Sequence, residues 1–278
     1  MTDFRADLHC HTNCSDGSDD PLSLLDLAKQ AGLSGLSITD HDTIQAYTPE
    51  LYAKAKEYGI ELLIGTEIST EFEGLTVHIL AYGFDETLKE FLDEVVKRRQ
   101  ERNRQILLKL KKKGIVIEES ELRLHGPDQI IGRPHIAAVL LKRGVVTSIQ
   151  DAFERYLQDT AACYVIGGKF TPRDAISAVH QANGKAVLAH PHFIKKGRFL
   201  RELLSHSFDG IECHYGRLYK EQEKPWIKIA GEKGWIATGG SDYHGKLRPY
   251  IQLGCSWVSE EVFRKLLGSR EGKATLGD

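Results

Sequence analysis

Two rhythms of apolar residues alternate along this chain. Short apolar runs are each followed by a stretch whose apolar positions recur at helical spacing. "FRADL" reads as a first strand and "DPLSLLDLAKQAG" as the helix behind it, with Asp20 as N-cap, Pro21 in the first turn and Gly32 as the stop. "LSGLSIT" gives a second strand, and "TPELYAKAKEYG" repeats the punctuation with Thr48, Pro49 and Gly59. "IELLIGTEIS" and "LTVHILAYG" supply a third and a fourth strand.

The rhythm breaks after residue 86. "ETLKEFLDEVVKRRQERNRQILLKLKKKG" is one long helical pattern, apolar at 88, 91, 92, 95, 96, 106, 107 and 110. Two further helices follow, "RPHIAAVLLKRG" and "SIQDAFERYL", so 87–164 reads as a helical insertion. The alternation then resumes with "TPRDAISAVHQANG", capped by Thr171 and Asp174. Strands "KAVLAH", "DGIECH" and "WIATGG" complete the series, with helices between them. The pattern predicts an α/β chain, a parallel barrel or doubly wound sheet, with a discontinuous domain of 1–86 plus 165–278 around the insertion.

Composition narrows the picture only modestly. In 278 residues, 37 Lys+Arg against 39 Asp+Glu leave a net charge of −2, which neither suggests nor excludes a nucleic-acid partner. A chain this long buries a sizeable core, and 41% hydrophobic residues suit a globular protein. No apolar run reaches the roughly 18 residues of a membrane span, and no secretory signal is evident at the amino terminus. Five cysteines without regular spacing fit a reducing compartment, so the cytoplasm is the expected location.

Candidate chemistry gathers at the carboxyl ends of the predicted strands, the edge where α/β folds build their sites. His9 and His11 follow the first strand, His41 the second and Glu67 the third; His190, His214, Asp242 and His244 follow later ones. His78 lies within its strand. At positions i and i+2, His9 and His11 point the same way and can grip one ion. Taken singly, an HxH pair or a strand-end Glu is ordinary surface chemistry; the joint placement argues for a multinuclear centre. Mixed imidazole and carboxylate donors suit Mn²⁺, Fe²⁺ or Zn²⁺. Closely spaced ions suit phosphate ester hydrolysis, in which hydroxide on a metal attacks phosphorus. Cys10 alternates away from the histidines and reads as packing; His125, His180 and His206 read as structural. The basic run 97–113 reads as a solvated helix face, or else as a wall attracting an anionic substrate. Arg133 and His135 at a helix start resemble a phosphate site.

The motifs "DLHCHTNCSDG", "TDHDT", "GTEIS", "VHILAYG", "AHP" and "GGSDYHG" together resemble the polymerase and histidinol phosphatase (PHP) family of metal-dependent phosphoesterases. The segment with "GRPHIA" is similar to the branch of nucleoside 3′,5′-bisphosphate phosphatases and 5′-to-3′ exoribonucleases. The resemblance implies a distorted seven-stranded (β/α) barrel with a trinuclear site, Mn²⁺ first among the candidate ions. By motif position His9, His11, Glu67 and Asp242 hold one ion. Glu67 bridges to His78 and His190 on a second, and Asp16, His41 and His244 hold a third. Asp7 and Asp40 would orient imidazoles from behind, and Arg133 and His135 would bind substrate phosphate. No general acid is assigned.

The expected partner is a small nucleotide or short RNA, with neither double-stranded DNA nor a membrane. Two departures from the branch pattern, Asp159–Gly168 ("DTAACYVIGG") and His192 before "FIKKGR", bear on substrate choice. The competing readings are a small-molecule phosphatase, such as one for histidinol phosphate, and a non-catalytic metal-stabilised module that binds RNA or a partner.

Overall fold

Local signals place the helices where the sequence predicts them. In the computed structural model, which describes residues 4–267 apart from 124, 127, 167–169 and 195–196, helix α1 spans Pro21–Gln30. The Asp20 carboxylate accepts from the backbone N–H groups of Leu22 and Ser23. Helix α2 (Pro49–Tyr58) is capped by Thr48 and closed by Gly59 at φ +67°. The long helix α3 runs Leu88–Lys112, followed by α4 (Arg133–Lys142) and α5 (Ile149–Ala152), which passes into a wider turn at Phe153–Leu157. Then come α6 (Pro172–Gln181), α7 (Gly197–Leu203) and α8 (Lys220–Lys233). A closing helix α9, Glu260–Leu267, was not anticipated from the sequence.

The described residues form eight strands in two sheets. β1 (Ala6–Cys10), β2 (Gly35–Ile38) and β3 (Glu61–Leu62) are parallel neighbours. The second sheet orders β4 (Gly65–Phe72), β5 (Leu75–Tyr82), β6 (Lys185–Leu188), β7 (Gly210–Tyr215) and β8 (Ile236–Gly240). Main-chain bonds stitch the sheets together: Asp42 N–H to the Glu67 carbonyl on one side, and Asp242 N–H to the His9 carbonyl on the other. β8 approaches β1 so closely that a Cβ on Gly240 would lie 2.4 Å from the His9 nitrogen.

The expected third strand is therefore two, β3 and β4, broken at Leu63 and Ile64. β4–β5 and β5–β6 pair antiparallel, so the five-stranded sheet is mixed, while the three-stranded one is parallel. The reason is local: only Glu73 and Gly74 separate Phe72 from Leu75, both at positive φ, which closes a tight hairpin and leaves no room for a crossover helix.

Apolar burial is distributed. One cluster joins Ile79, Leu188 and Ile211 to Val179 and Phe199, and another packs Leu24, Leu25 and Leu51 beneath Leu36 and Ile38. α9 inserts Phe263 and Leu266 against Ala6 and Leu8. The helical segment carries its own cluster, with Ile106, Leu110, Ile136, Leu140 and Leu157.

Candidate metal centre

The nine ligand positions implied by the motifs converge. His9 and His11 lie at the end of β1 and Asp16 in the loop after it, each essentially buried. His41 follows β2, Glu67 is the third residue of β4, and His78 lies mid-strand in β5, where it pairs opposite Ser69. His78 thus reaches the site not as a strand-end residue but because its strand runs antiparallel. His190 follows β6, and Asp242 and His244 follow β8.

Glu67 stands at the middle. Its Oε2 lies 3.4 and 3.2 Å from Nε2 of His9 and His11, and the same two nitrogens are each 3.4 Å from Asp242 Oδ1. Its Oε1 lies 3.0 Å from His78 Nδ1 and 2.8 Å from His190 Nε2. Around Asp16, Oδ1 is 3.5 Å from His244 Nε2 and Oδ2 is 3.7 Å from His41 Nε2. Donors about 2.1 Å from one ion are roughly 3.0–3.4 Å from each other, which is close to the spacing seen.

The nitrogens themselves support the fit. Nε2 of His9, both nitrogens of His11, Nδ1 of His41 and Nε2 of His244 are buried without a hydrogen-bond partner among the described residues. Leaving such groups unpaired in a folded interior is costly unless something else takes their lone pairs. Burial would raise the carboxyl of Glu67, but the imidazoles of His78, His41 and His9 outweigh it and hold it well below the usual range. Burial is likewise outweighed at Asp16 by His41 and His244, and at Asp242 by Arg248 and His9. Burial lowers His41, His78 and His244 toward the neutral form. At His11 burial opposes protonation but Asp242 and Glu67 prevail, raising it to about 9. The clusters of His, Asp and Glu are fit to bind divalent cations.

Groups behind these ligands were only partly legible in sequence. Asp7 accepts from the main-chain N–H groups of His9, Ser241 and Gly254, at 3.2, 2.9 and 2.8 Å. Asp40 holds Thr12 and Ser15, fixing the loop that carries Asp16. Both carboxylates hold backbone and loop, and neither has a hydrogen bond to an imidazole among the described residues. The carboxylate that does reach one is Glu212, 2.8 Å from His9 Nδ1. The sequence reading passed over it for its neighbour His214, which pairs instead with Glu223 at 2.9 Å. Asp242 Oδ2 accepts from the Tyr215 hydroxyl at 2.6 Å and pairs with Arg248. The His244 Nδ1 lies 2.9 Å from the Asp242 carbonyl, which fixes its proton there and frees Nε2.

The sequence matches the PHP domain over residues 7–167. The chain belongs to the PHP family. It is 33% identical over 262 residues to a 5′-3′ exoribonuclease of Haemophilus influenzae, covering 91% of this chain and 92% of that one. It is 32% identical over 247 residues to a 3′,5′-nucleoside bisphosphate phosphatase of Chromobacterium violaceum, 86% of each chain. Among solved structures it is similar to a candidate metal-dependent phosphoesterase from Bifidobacterium adolescentis, at TM-score 0.83 and 30% identity, covering 94% and 95% of the two chains.

One flank of this PHP centre is basic. The apolar pattern of α3 lapses between Val96 and Ile106, and there the helix buries Arg99, Arg102 and Asn103. The run read as a solvated face thus has two faces, for Lys97 and Arg104 are exposed. Arg99 pairs with Asp42 and donates to Ser69, the residue opposite His78. Arg102 is 8% exposed, and its Nε has no partner among the described residues. Burial, with Arg99 and Arg133 nearby, pulls its pKa down to about 9. A pocket between α3 and β4 is lined by Arg98, Arg99 and Arg102, with Ser69, Thr76 and one carboxylate, Glu71, among its other residues. Arg133 itself is engaged by Asp159 at 3.0 Å and by Thr76 at 3.2 Å. His135 accepts from Gly132 N–H at 3.0 Å. The segment before α4 docks on the ligand loop through Ile130 N–H to the Cys14 carbonyl and Gln129 to the Ser15 carbonyl.

His192 packs at a tilt against Phe193 and Tyr215, with ring centroids 4.3 and 4.4 Å away. Of the two departing segments, Gly167, Gly168, Lys195 and Lys196 lie outside the described residues.

Proposed function

We propose that this protein is a metal-dependent phosphoesterase acting on nucleotides: a nucleoside 3′,5′-bisphosphate phosphatase, a 5′-to-3′ exoribonuclease on short RNA, or both. The observation that carries the reading is the buried Arg102, whose Nε has no partner among the described residues, beside a convergent set of imidazole and carboxylate donors. A substrate with two phosphates would place one at each.

In this reading His9, His11, Glu67 and Asp242 hold one ion, Glu67 with His78 and His190 a second, and Asp16, His41 and His244 a third. Such ions, Mn²⁺ first among the candidates, would activate water and neutralise the phosphoryl oxygens. The chain's own residues do the rest. Arg102 with Arg99 and Arg133 binds the phosphate that is kept, and the buried, water-poor setting strengthens that attraction. Both reactions break the same bond, between phosphorus and O3′ of a nucleotide whose 5′-phosphate is retained. Water supplies the oxygen to phosphorus and a proton ends on O3′. One pocket for the retained 5′-phosphate therefore serves both substrates.

The stitching between β2 and β4 and between β1 and β8 supports a distorted barrel, with β3 and β4 counting as one kinked strand of seven. The separate apolar cluster of α3–α5 supports an insertion domain over 87–164 that contributes Arg99, Arg102 and Arg133 to the pocket. The described cysteines are free thiols, in keeping with a reducing cytoplasm.

The test is release of phosphate and mononucleotide by Mn²⁺-loaded protein from adenosine 3′,5′-bisphosphate, a short 5′-phosphorylated RNA and histidinol phosphate. We expect turnover of the first two, abolished by His9→Ala. Turnover of histidinol phosphate alone would overturn the substrate, and silence on all three would overturn the enzyme.

A further inference from the structure

Glu212 is fully buried on β7, amid apolar neighbours, yet carries a carboxylate. Such a group persists in a core only if both oxygens are well used. Here Oε1 lies 2.8 Å from His9 Nδ1, and Oε2 accepts the main-chain N–H of His190 at 2.7 Å. The two partners serve different ligand groups, His9 that around Asp242 and His190 that around His78. His190 also sits at φ +28°, ψ +57°, a left-handed conformation that a side chain bearing a Cβ adopts only when its surroundings enforce it.

We infer that Glu212 is a positioning residue for the metal centre: it fixes the His9 proton on Nδ1 and seats the strained His190 backbone, so that two ligand groups depend on one carboxylate that touches neither ion. This rests on the metal-dependent reading above. The atoms make the dependence strict. The His190 N–H can only donate, so its partner must accept. If His9 is to offer the Nε2 lone pair toward Glu67 and Asp242, its proton must sit on Nδ1, and that partner must accept too. A carboxylate does both. A carboxamide of the same shape cannot. In Glu212→Gln the amide oxygen must face His190, so the NH₂ faces His9 Nδ1. Nδ1 then has to accept, and the proton moves to Nε2, the atom 3.4 Å from Glu67 Oε2 and from Asp242 Oδ1. With the amide turned round, two N–H donors collide at His190. Either way one group is disarmed.

The experiment strips wild type and Glu212→Gln of metal, then titrates each with Mn²⁺ against a chelator and counts ions per chain. We expect at least a tenfold loss of affinity, the range typical when a partner behind a metal-bound histidine is removed. The count should fall, while an ion at Asp16, His41 and His244, which Glu212 does not touch, is retained. ¹⁵N NMR of the Zn²⁺-loaded wild type should place the His9 proton on Nδ1. That second reading stands even if Glu212→Gln does not fold. Affinity and count within twofold of wild type, or a His9 proton on Nε2, would overturn the inference while leaving the metal centre intact. Wild-type protein that takes up no divalent ion would instead overturn the metal-centre reading, and this inference with it.

Discussion

Replacing Arg102 with Met should make the protein more stable and a poorer enzyme. At about 1.4 kcal/mol for each pKa unit, the fall from 12.5 to about 9 sets on the order of 5 kcal/mol against keeping this cation buried. That figure is what remains after the attraction of Asp42 is counted, and the contact to Asn103, at 3.5 Å, adds little. Methionine keeps the length of the stem and removes the charge, and exchanges of buried charge for apolar groups have stabilised proteins by about 1–4 kcal/mol. At roughly 2–4 °C per kcal/mol for a domain of this order of size, Tm should rise by several degrees in phosphate-free buffer. The same substitution removes the docking charge for the retained phosphate. Inorganic phosphate should therefore raise the Tm of wild type by more than that of Arg102→Met, which keeps only Arg99 and Arg133. kcat/KM on adenosine 3′,5′-bisphosphate should fall by about 10- to 100-fold, in line with the roughly 1.5–3 kcal/mol of a charge-assisted hydrogen bond. Scanning calorimetry with and without phosphate, paired with steady-state kinetics, reads both effects. A variant that is less stable than wild type and equally active would refute the argument, because Arg102 would then be a structural cation with its own undetected compensation.

Two more outcomes follow from the same physics. His11 in the metal-free protein has its pKa raised to about 9, so its protonated form contributes stability that is fully present below about 6.5 and lost as pH rises toward 9. Because an ion must displace that proton, Mn²⁺ affinity should climb across the same window with proton release, measurable by calorimetry in buffers of different ionisation enthalpy; a flat profile would contradict the assignment. Gly240→Ala should destabilise the fold by about 1–3 kcal/mol or more, since the added carbon meets the His9 backbone, which has nowhere to move. Chemical denaturation with a wild-type midpoint would show that β8 and β1 are not so tightly joined.

The sequence by itself determined the helix starts and the list of candidate ligands, because caps, prolines and the spacing of His and Asp are local facts. Asp20, Thr48 and Thr171 cap helices where local chemistry says they should. Sequence order also placed most candidate ligands just beyond strand ends, and the PHP motifs gave their grouping. Tertiary structure decided what depends on pairing. A two-residue turn made β4 and β5 antiparallel, which brings a mid-strand histidine, His78, to the site. The basic run on α3 reads from its pattern as a solvated face or as a wall toward an anionic substrate, and the fold buries two of its arginines. Nothing in the local pattern distinguishes Arg99 and Arg102 from Arg98 and Arg104 except the lapse in apolar spacing, whose meaning depends on what packs against it. Glu212 is the sharpest case. Among apolar residues and beside a histidine it gives no local signal, and its role exists only because the fold brings it against residues about two hundred positions away and twenty-two positions back in the chain. A hydrogen bond is a relation between two places, and the chain alone specifies only one of them.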